Sequence, residues 1–340
     1  MNNSEIYYYL RSRIPRDHEA LLGMVDAMRA QAGLDRVYAA GVVTLSSFCV
    51  RDCIYCGFRA DQAEPGRFRL SRSQIIAATE HAAKAGIRCL ILRSGVDPGF
   101  PDDSVSELVR DLRSRFGFHI AVSMGERELP VYRKWMEAGA EFYWLRHETC
   151  DPHLYRRIRP SMYWVDRIRS LDALKQSGFR VGTGILVGMP NQSCESLVED
   201  IMLFAEPHVA GIVIEPYQPP HDSPGYHLIQ KPENMIVEPD LATMQKVIAA
   251  TRISKPNSMI PITNAHARLY NALENNHLFR AGANGVIFDF TPPEHAMPEH
   301  AAPFSGVPAA PDAIPRARNQ LKEMGLEMIF SPPECFVSPA

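Results

Sequence analysis

Short runs of apolar, mostly β-branched residues alternate along the chain with longer stretches in which apolar positions recur at helical spacing. The short runs predict eight β-strands, at residues 42–46, 88–93, 119–123, 142–145, 180–187, 211–214, 259–263 and 285–288. The longer stretches predict helices, at residues 73–85, 104–116, 131–138, 165–177, 194–206 and 240–254. Eight strands that alternate with helices predict an α/β fold, a complete (β/α)8 barrel of the TIM type.

The two ends of the chain lack this alternation. We expect residues 1–40 to form a helical cap, residues 41–291 the barrel, and residues 292–340 a C-terminal extension that closes the barrel. The extension begins with a proline-rich stretch, which favours an irregular or partly disordered segment. A cap and an extension of this kind would enclose a cavity, and an enclosed site protects a reactive intermediate from side reactions.

Composition and charge narrow the class of protein. The chain has 340 residues, of which 46% are hydrophobic and 22% charged, and its formal net charge is −3. This balance indicates one soluble enzyme domain without a nucleic-acid partner. No apolar run approaches the roughly 18 residues that span a bilayer, and the N-terminus lacks the features of a secretory signal. We therefore expect a cytoplasmic protein without a membrane partner, and a monomer by default.

Three cysteines follow the first predicted strand with the spacing C-x3-C-x2-C: Cys49, Cys53 and Cys56. Three thiolates on one short loop can bind three irons of a 4Fe-4S cluster and leave the fourth iron open to another ligand. A structural zinc site is the alternative, but such sites close with four protein ligands and this loop has no second pair. The other cysteines are scattered, and we expect them to be small buried apolar residues: Cys89, Cys150, Cys194 and Cys335.

Polar side chains follow the later strands, whose C-terminal ends meet at one face of a barrel. After the third strand, Ser123 is small enough for close approach and Glu126 can accept from an ammonium group; a solvated Glu126 is the alternative. Arg146 and Glu148 alternate on one face after the fourth strand and suit a zwitterion. Arg167 offers a guanidinium fork for a carboxylate, unless it is a surface cation.

Five strings of residues together resemble those of the radical S-adenosylmethionine (SAM) enzymes. They are Cys-Gly-Phe-Arg at 56–59, Ser-Gly-Val-Asp-Pro at 94–98, Leu-Arg-His-Glu-Thr at 145–149, Arg-Arg-Ile-Arg-Pro at 156–160 and Val-Gly-Met-Pro at 187–190. Within that superfamily the chain is similar to the group of methylornithine synthase (PylB type) and the iron-only hydrogenase maturase (HydE type). Biotin synthase is a more distant relative. The resemblance covers about residues 5 to 330.

The resemblance implies a chemistry and assigns residues to it. The three cysteines would bind the 4Fe-4S cluster, whose open iron chelates the amino and carboxylate groups of SAM. One electron from the reduced cluster, supplied by flavodoxin or ferredoxin, cleaves SAM to methionine and a 5′-deoxyadenosyl radical that abstracts hydrogen from the substrate. The resemblance and the residue types described above together predict seven SAM-binding residues: Phe58, Ser123, Glu126, Arg146, Glu148, Arg167 and Gly188.

The chain departs from the two relatives at the strand ends. Val96 stands where both usually have an acidic residue, and Arg93 is a cation that they do not normally carry. An unpaired buried charge is costly, so Arg93 needs an anionic partner. Either Glu215 is that partner, or Arg93 binds a substrate carboxylate and Glu215 a substrate ammonium. The remaining substrate-facing candidates are Thr263 and Asn264, with possible hydrogen bonds from Tyr217, His221 and His266.

These departures favour a small zwitterionic, amino-acid-like substrate and a carbon-skeleton rearrangement of the methylornithine-synthase kind. Hydrogenase maturation, which acts on an iron complex carried by a cysteine, is the first alternative, and the changes at positions 93, 96 and 215 count against it. A non-catalytic protein that binds the cluster or SAM is the second alternative. It predicts that SAM binds without being cleaved. A second cluster is not expected, because the tail offers only Cys335.

Overall fold

Eight parallel β-strands form the centre of the computed structural model. The structure describes residues 1–29, 31, 33–61, 66–206, 208–221, 223–230, 235–269, 272–295, 307–308 and 313–336. The barrel strands are β1 (Arg36–Ser46), β2 (Cys89–Ser94), β3 (His119–Ser123), β4 (Ala140–Trp144), β5 (Arg180–Val187), β6 (Val209–Pro216), β7 (Pro261–Ile262) and β8 (Gly285–Asp289). Two short strands pair with β8 and β1, respectively: β9 (Val307–Pro308) and β10 (Glu327–Ile329).

The strands are hydrogen-bonded in the order β6-β5-β4-β3-β2-β1-β8-β7. An isolated parallel bridge between Gly211 and Met259 joins the two ends of this order, and the Ile212 N–H donates to the Met259 carbonyl at 2.8 Å. The result is a nearly closed barrel, which confirms the predicted fold class. The seventh strand is shorter than predicted, because Pro261 has no N–H with which to extend the ladder.

Helices surround the barrel. They are α1 (Asn3–Arg11), α2 (Pro15–Met28), α3 (Arg72–Lys84), α4 (Asp102–Phe116), α5 (Leu129–Glu137), α6 (Pro152–Ile158), α7 (Trp164–Ser177), α8 (Cys194–Phe204), α9 (Pro224–Ile229), α10 (Leu241–Ser254), α11 (Asn264–Leu269), α12 (Ala272–Arg280) and α13 (Ala313–Glu323). All six predicted helices are present, with ends shifted by at most a few residues. Helices α4 and α7 end at Gly117 and Gly178, both in the left-handed conformation that favours glycine at this position. No helix in the described part of the chain is long and apolar enough to cross a membrane.

The ends of the chain pack onto the barrel. Helix α1 contacts α8 and α2 contacts α10, so both join the outer helix layer. Strand β1 begins at Arg36, inside the segment predicted as the cap. The end of the chain returns to the barrel through β10, which pairs with the start of β1. Most of the predicted proline-rich stretch lies outside the described residues, and the predicted domain boundaries stay a prediction.

Apolar side chains fill the inside of the barrel as well as the space under the helices. The inner cluster comprises Ala40, Val42, Cys89, Ile91, Ala121, Phe142, Trp144, Ala210, Val213, Met259, Ile287 and Phe336. Cys89 is therefore buried, as predicted. The prediction is wrong for Cys150 and Cys194, which are only partly buried because they lie in the turn before α6 and at the first residue of α8.

Two strand glycines give Trp144 its space within the barrel. Trp144 pairs in register with Gly182, which in turn pairs with Gly211. A Cβ atom at Gly182 would lie 2.2 Å from Trp144 Cε3, and one at Gly211 would lie 2.5 Å from Trp144 Cη2. The indole ring therefore packs directly on the backbone of these two glycines, where any other residue would place its Cβ atom.

We expect Gly182→Ala to destabilise the protein, because the added methyl group overlaps the indole ring. Overpacking of this kind costs about 1–3 kcal/mol. Gly23→Ala is the control, since Gly23 lies in α2 with no atom within 4 Å of its added Cβ. The control should gain about 0.5–1 kcal/mol. Chemical denaturation under anaerobic conditions measures both, and equal stabilities for the two variants would contradict this packing.

Candidate active site

A cavity of about 130 Å³, partly open to solvent, lies at the C-terminal ends of β1 to β4. Most of the predicted site residues line it: Cys49, Cys53, Cys56, Phe58, Arg93, Ser123, Glu126, Arg146, Glu148 and Arg167. Four predicted residues are not among those that line it: Gly188, Glu215, Thr263 and Asn264.

The three cysteines of the loop after β1 face this cavity from one side. Backbone N–H groups of Arg51 and Val96 point to Cys49 Sγ at 3.4 and 3.3 Å, an environment that favours a thiolate. Burial raises the pKa of all three thiols, so the free loop holds them neutral. A bound metal reverses this preference, because coordination deprotonates a thiol.

The loop is held against β2 by close contact and by hydrogen bonds. A Cβ at Gly95 would lie 2.3 Å from the Phe48 carbonyl oxygen and 2.5 Å from Cys49 Cβ, so only glycine fits there. Asp97 accepts from Ser46 Oγ at 2.5 Å and from both Nε and Nη2 of Arg69, at 2.7 and 2.8 Å. The Gly-Val-Asp part of the motif at 94–98 thus fixes the position of the cysteine loop.

Glu126 lies among three guanidinium groups. Arg167 Nη2 is 2.6 Å from Glu126 Oε1, Arg159 Nη2 is 3.8 Å from the same atom, and Arg51 Nη2 is 3.6 Å from Oε2. Arg167 is 3% exposed, which excludes the surface position considered from the sequence. This group carries an excess of positive charge, so it can also accept an anionic group such as the carboxylate of SAM.

Arg146, which follows β4, is bound by two carboxylates. Its guanidinium forms ion pairs with Glu215 and with Glu148, the latter at 3.2 Å. Tyr55 OH donates to Glu148 Oε1 at 2.7 Å. Burial opposes the charge, but Glu148 and Glu215 raise the pKa of Arg146, which stays protonated. Glu148 has a φ of 69°, a conformation found at functional sites more often than elsewhere for residues with side chains.

Arg93 is buried within the barrel mouth and forms an ion pair with Asp289, at the end of β8. Arg93 Nη2 lies 3.7 Å from Asp289 Oδ2, and its Nε donates to Thr44 Oγ1 at 3.0 Å. Burial lowers the pKa of Arg93, and the charges of Asp289 and Glu215 oppose that shift. The sequence offered Glu215 either as the partner of Arg93 or as a group for a substrate ammonium. In the structure Glu215 forms an ion pair with Arg146, and its charge also raises the pKa of Arg93.

A side chain added at position 188 would contact other protein atoms. Its φ is 86°, and a Cβ there would lie 2.5 Å from Pro239 Cδ. Its N–H donates to Gln192 Oε1 at 2.7 Å. The positive φ and the contact with Pro239 account for glycine at this position, whereas SAM binding at Gly188 stays a prediction.

The candidates after β7 are buried around one histidine. Thr263 is fully buried, and its N–H donates to Nδ1 of His266 at 3.2 Å. Asn264 is the first residue of α11 and is partly buried. Tyr217 is buried in a cluster with residues of the cysteine loop, whereas His221 is exposed and its ring lies tilted against that of Tyr226.

Sequence reasoning missed four residues that contact the predicted ones. Tyr55 lies between Cys53 and Cys56, and Arg159 lies within the string at 156–160, so the position of each was a usable signal. Arg51 also lies in the cysteine loop. Asp289 had no signal beyond its place at the end of the eighth predicted strand.

His266 gives the stability of this region a pH dependence. Burial lowers the pKa of His266 to about 4, whereas an unfolded histidine titrates near about 6.5. Between these values the unfolded chain binds more protons, so stability is present above pH ~6.5 and is lost as the pH falls toward 4. From pH ~7.5 to pH ~5.5 this one group should remove about 1.4 kcal/mol.

We expect His266→Asn to lose that part of the pH dependence, because the Asn oxygen can accept the Thr263 N–H without titrating. His153→Asn is the matched control, since His153 is exposed. Denaturation curves at several pH values under anaerobic conditions measure the slopes. An unchanged slope in His266→Asn would show that this histidine is not buried in the neutral form.

Known proteins resemble the chain over most of its length. Residues 43–204 match the family model of the Radical SAM superfamily. Over 275 residues the chain is 33% identical to the FeFe hydrogenase maturase subunit HydE of Thermotoga maritima, covering 81% of this chain and 76% of the relative. The chain belongs to the radical SAM superfamily. This radical SAM protein is also 28% identical over 256 residues to 3-methylornithine synthase of Methanosarcina acetivorans, covering 74% and 69% of the two chains.

The fold agrees with that assignment. The crystal structure of methylornithine synthase (PylB) matches with a TM-score of 0.80 over 96% of this chain and 94% of that one, at 22% identity. The protein is therefore a radical SAM enzyme that uses a 4Fe-4S cluster and SAM. The residues present fit both groups: three thiols share one loop at the cavity, and charged side chains of both signs surround the space beside them. When bound, the two cofactors supply the reductive generation of the radical.

Proposed function

We propose that this radical SAM enzyme abstracts a hydrogen atom from a small zwitterionic, amino-acid-like substrate. The observation that carries the proposal is a layer of buried and partly buried charges at the mouth of the barrel, which we call the charged layer. It consists of Arg93, Arg146, Glu148, Glu215 and Asp289. Charges of both signs at one depth match a ligand with an ammonium and a carboxylate group.

The pair of Arg93 and Asp289 is the member of the charged layer best suited to open for a substrate. Their closest atoms are 3.7 Å apart, longer than the roughly 2.7–2.9 Å of a hydrogen-bonded ion pair. A zwitterion brings one charge of each sign, so it can insert between the partners without leaving either unpaired. In this arrangement Arg93 binds the substrate carboxylate, and the ammonium group lies near Asp289 and Glu215.

We assign SAM binding to the part of the cavity around Glu126. Arg167, Arg159 and Arg51 surround Glu126 next to the cysteine loop, where a ligand of the open iron must lie. Phe58 and Ser123 line the same cavity, together with Arg146 and Glu148 of the charged layer. We therefore assign Glu126, Arg146, Glu148 and Arg167 to SAM, with Arg146 shared between SAM and substrate.

A carbon-skeleton rearrangement is the reaction we favour, because the similarity to 3-methylornithine synthase covers most of both chains. Reduction of the cluster requires an external electron donor, for which we expect flavodoxin or ferredoxin. A cytoplasmic monomer remains the expected form of the enzyme.

Hydrogenase maturation is the second candidate. It is favoured by the 33% identity with HydE over 81% of this chain. The same site would then accept an iron complex bound to cysteine. This cysteine is also a zwitterion, because it carries an amino and a carboxylate group. The charged layer is compatible with both substrates. An experiment is therefore needed to distinguish the amino-acid rearrangement from hydrogenase maturation.

The test uses anaerobically reconstituted, dithionite-reduced holoenzyme with SAM and a panel of single amino acids deuterated at carbon. We expect one of them to raise the formation of 5′-deoxyadenosine at least about tenfold and to transfer deuterium into it. Mass spectrometry of 5′-deoxyadenosine gives both readings. Background cleavage without stimulation by any amino acid, cysteine included, would contradict the proposal and favour maturation. Full cluster loading without any cleavage would favour a non-catalytic protein.

Matched variants connect this result to the charged layer. The double variant Arg93→Gln with Asp289→Asn removes both charges together and leaves neither partner unpaired. It should lose about tenfold or more in kcat/KM for the amino acid while background SAM cleavage stays within about twofold. Arg88→Gln is the control, because Arg88 is exposed immediately before β2. Equal loss in both variants, or none in either, would argue against a substrate role for Arg93.

A further inference from the structure

The end of the chain reaches the inside of the barrel directly below the candidate active site. Residues Glu334–Phe336 form one turn of 3-10 helix that contacts β6. Phe336 is 7% exposed and belongs to the inner cluster of the barrel. Its ring stacks on Phe142 with 3.9 Å between the centroids and an interplanar angle of 24°.

Trp144 connects this aromatic contact to the cavity. It lines the cavity from below, and its ring lies edge-on to Phe336 with 6.1 Å between centroids. Phe142 precedes it by two positions on the same strand, so both side chains point into the barrel. One indole ring therefore separates the cavity from the C-terminal segment.

The indole ring cannot shift far while Phe336 is in place. Gly182 and Gly211 run beneath one face of it, so closely that a single added carbon would overlap the ring. Phe142, with its centroid 4.9 Å away, and Phe336, with its centroid 6.1 Å away, also pack against the indole ring. We call these three rings the aromatic floor: Phe142, Trp144 and Phe336.

The aromatic floor lies immediately below the charged layer. Arg146 follows Trp144, the last residue of β4, by two positions on the same face. The charged side chain and the apolar ring are therefore neighbours along the chain. A substrate with its charged groups bound by Arg93 and its partners could extend from the charged layer toward the floor. The depth available to its side chain thus depends on Trp144, and the position of Trp144 depends on Phe336.

We propose that Trp144 is a specificity-determining residue and Phe336 its positioning residue, and that together they restrict the enzyme to substrates with a short side chain. The C-terminal segment thereby contributes to substrate selection from inside the barrel. The proposal rests on the proposed function for the kind of substrate, but the existence of the floor can be tested without it.

The first arm of the test needs no substrate. Removing an aromatic ring from a packed interior leaves an apolar cavity, and such cavities bind benzene. Holoenzyme with Phe336→Ala should bind benzene in calorimetric titration, whereas the wild type should not. Phe330→Ala is the matched control, because Phe330 also belongs to the C-terminal segment but is partly buried, beside Gly86 and Arg318.

The second arm measures substrate length. Straight-chain 2-amino acids with two to eight carbons are compared by their stimulation of 5′-deoxyadenosine formation. In Phe336→Ala the ratio of kcat/KM for the longest to the shortest chains should rise at least about tenfold over wild type and Phe330→Ala. A general structural defect would lower all values together and leave the ratio unchanged.

The two arms separate the failure of this inference from that of the proposed function. Benzene binding without stimulation by any amino acid would leave the floor in place and refute the amino-acid substrate. Absence of benzene binding, or an unchanged length ratio in an active variant, would overturn the role of Phe336. If Phe336→Ala does not fold, Phe336→Leu with the same two readings replaces it, and an unchanged length ratio would again overturn the proposal.

Discussion

A charge buried inside a barrel must have a partner of opposite sign within the barrel, and the mouth of this molecule is arranged around that requirement. Arg93 is paired with Asp289, and Arg146 with Glu148 and Glu215. Removing one member of such a pair would leave an uncompensated charge away from water, which is strongly destabilising. The same balance makes a zwitterion the ligand that can enter at the lowest electrostatic cost.

The fold supplies the positions that this balance needs. Parallel strands bring their C-terminal ends to one face, so residues far apart in the sequence become neighbours. Below the charges, the glycines of β5 and β6 leave room for Trp144, and the C-terminal Phe336 fills the space that remains. Beside them, Gly95 allows the cysteine loop to lie against β2. Cofactor site, charged layer and aromatic floor are thus consecutive levels of one structure.

Local pattern predicted much of this arrangement. The strands and helices followed from periodicity, the cluster loop from the spacing of its cysteines, and the shared face of Arg146 and Glu148 from their separation by two. The partners of buried charges could not be predicted in this way. Asp289 meets Arg93 only because β1 stands between β2 and β8, and no local feature of either segment specifies that contact. The close contact of Gly188 with Pro239 could not be predicted for a related reason, since Pro239 lies on a different segment.

The measurement that tests the central claim most directly is the binding of charge-deleted ligands to anaerobic holoenzyme with SAM. Each amino acid is titrated beside its amide, which lacks the carboxylate, and its N-acetyl derivative, which lacks the ammonium. If the charged layer recognises a zwitterion, one free amino acid binds, and loss of either charge weakens it by about tenfold or more, because a buried partner is left unpaired. Equal affinity for the free amino acid and both derivatives would contradict the account.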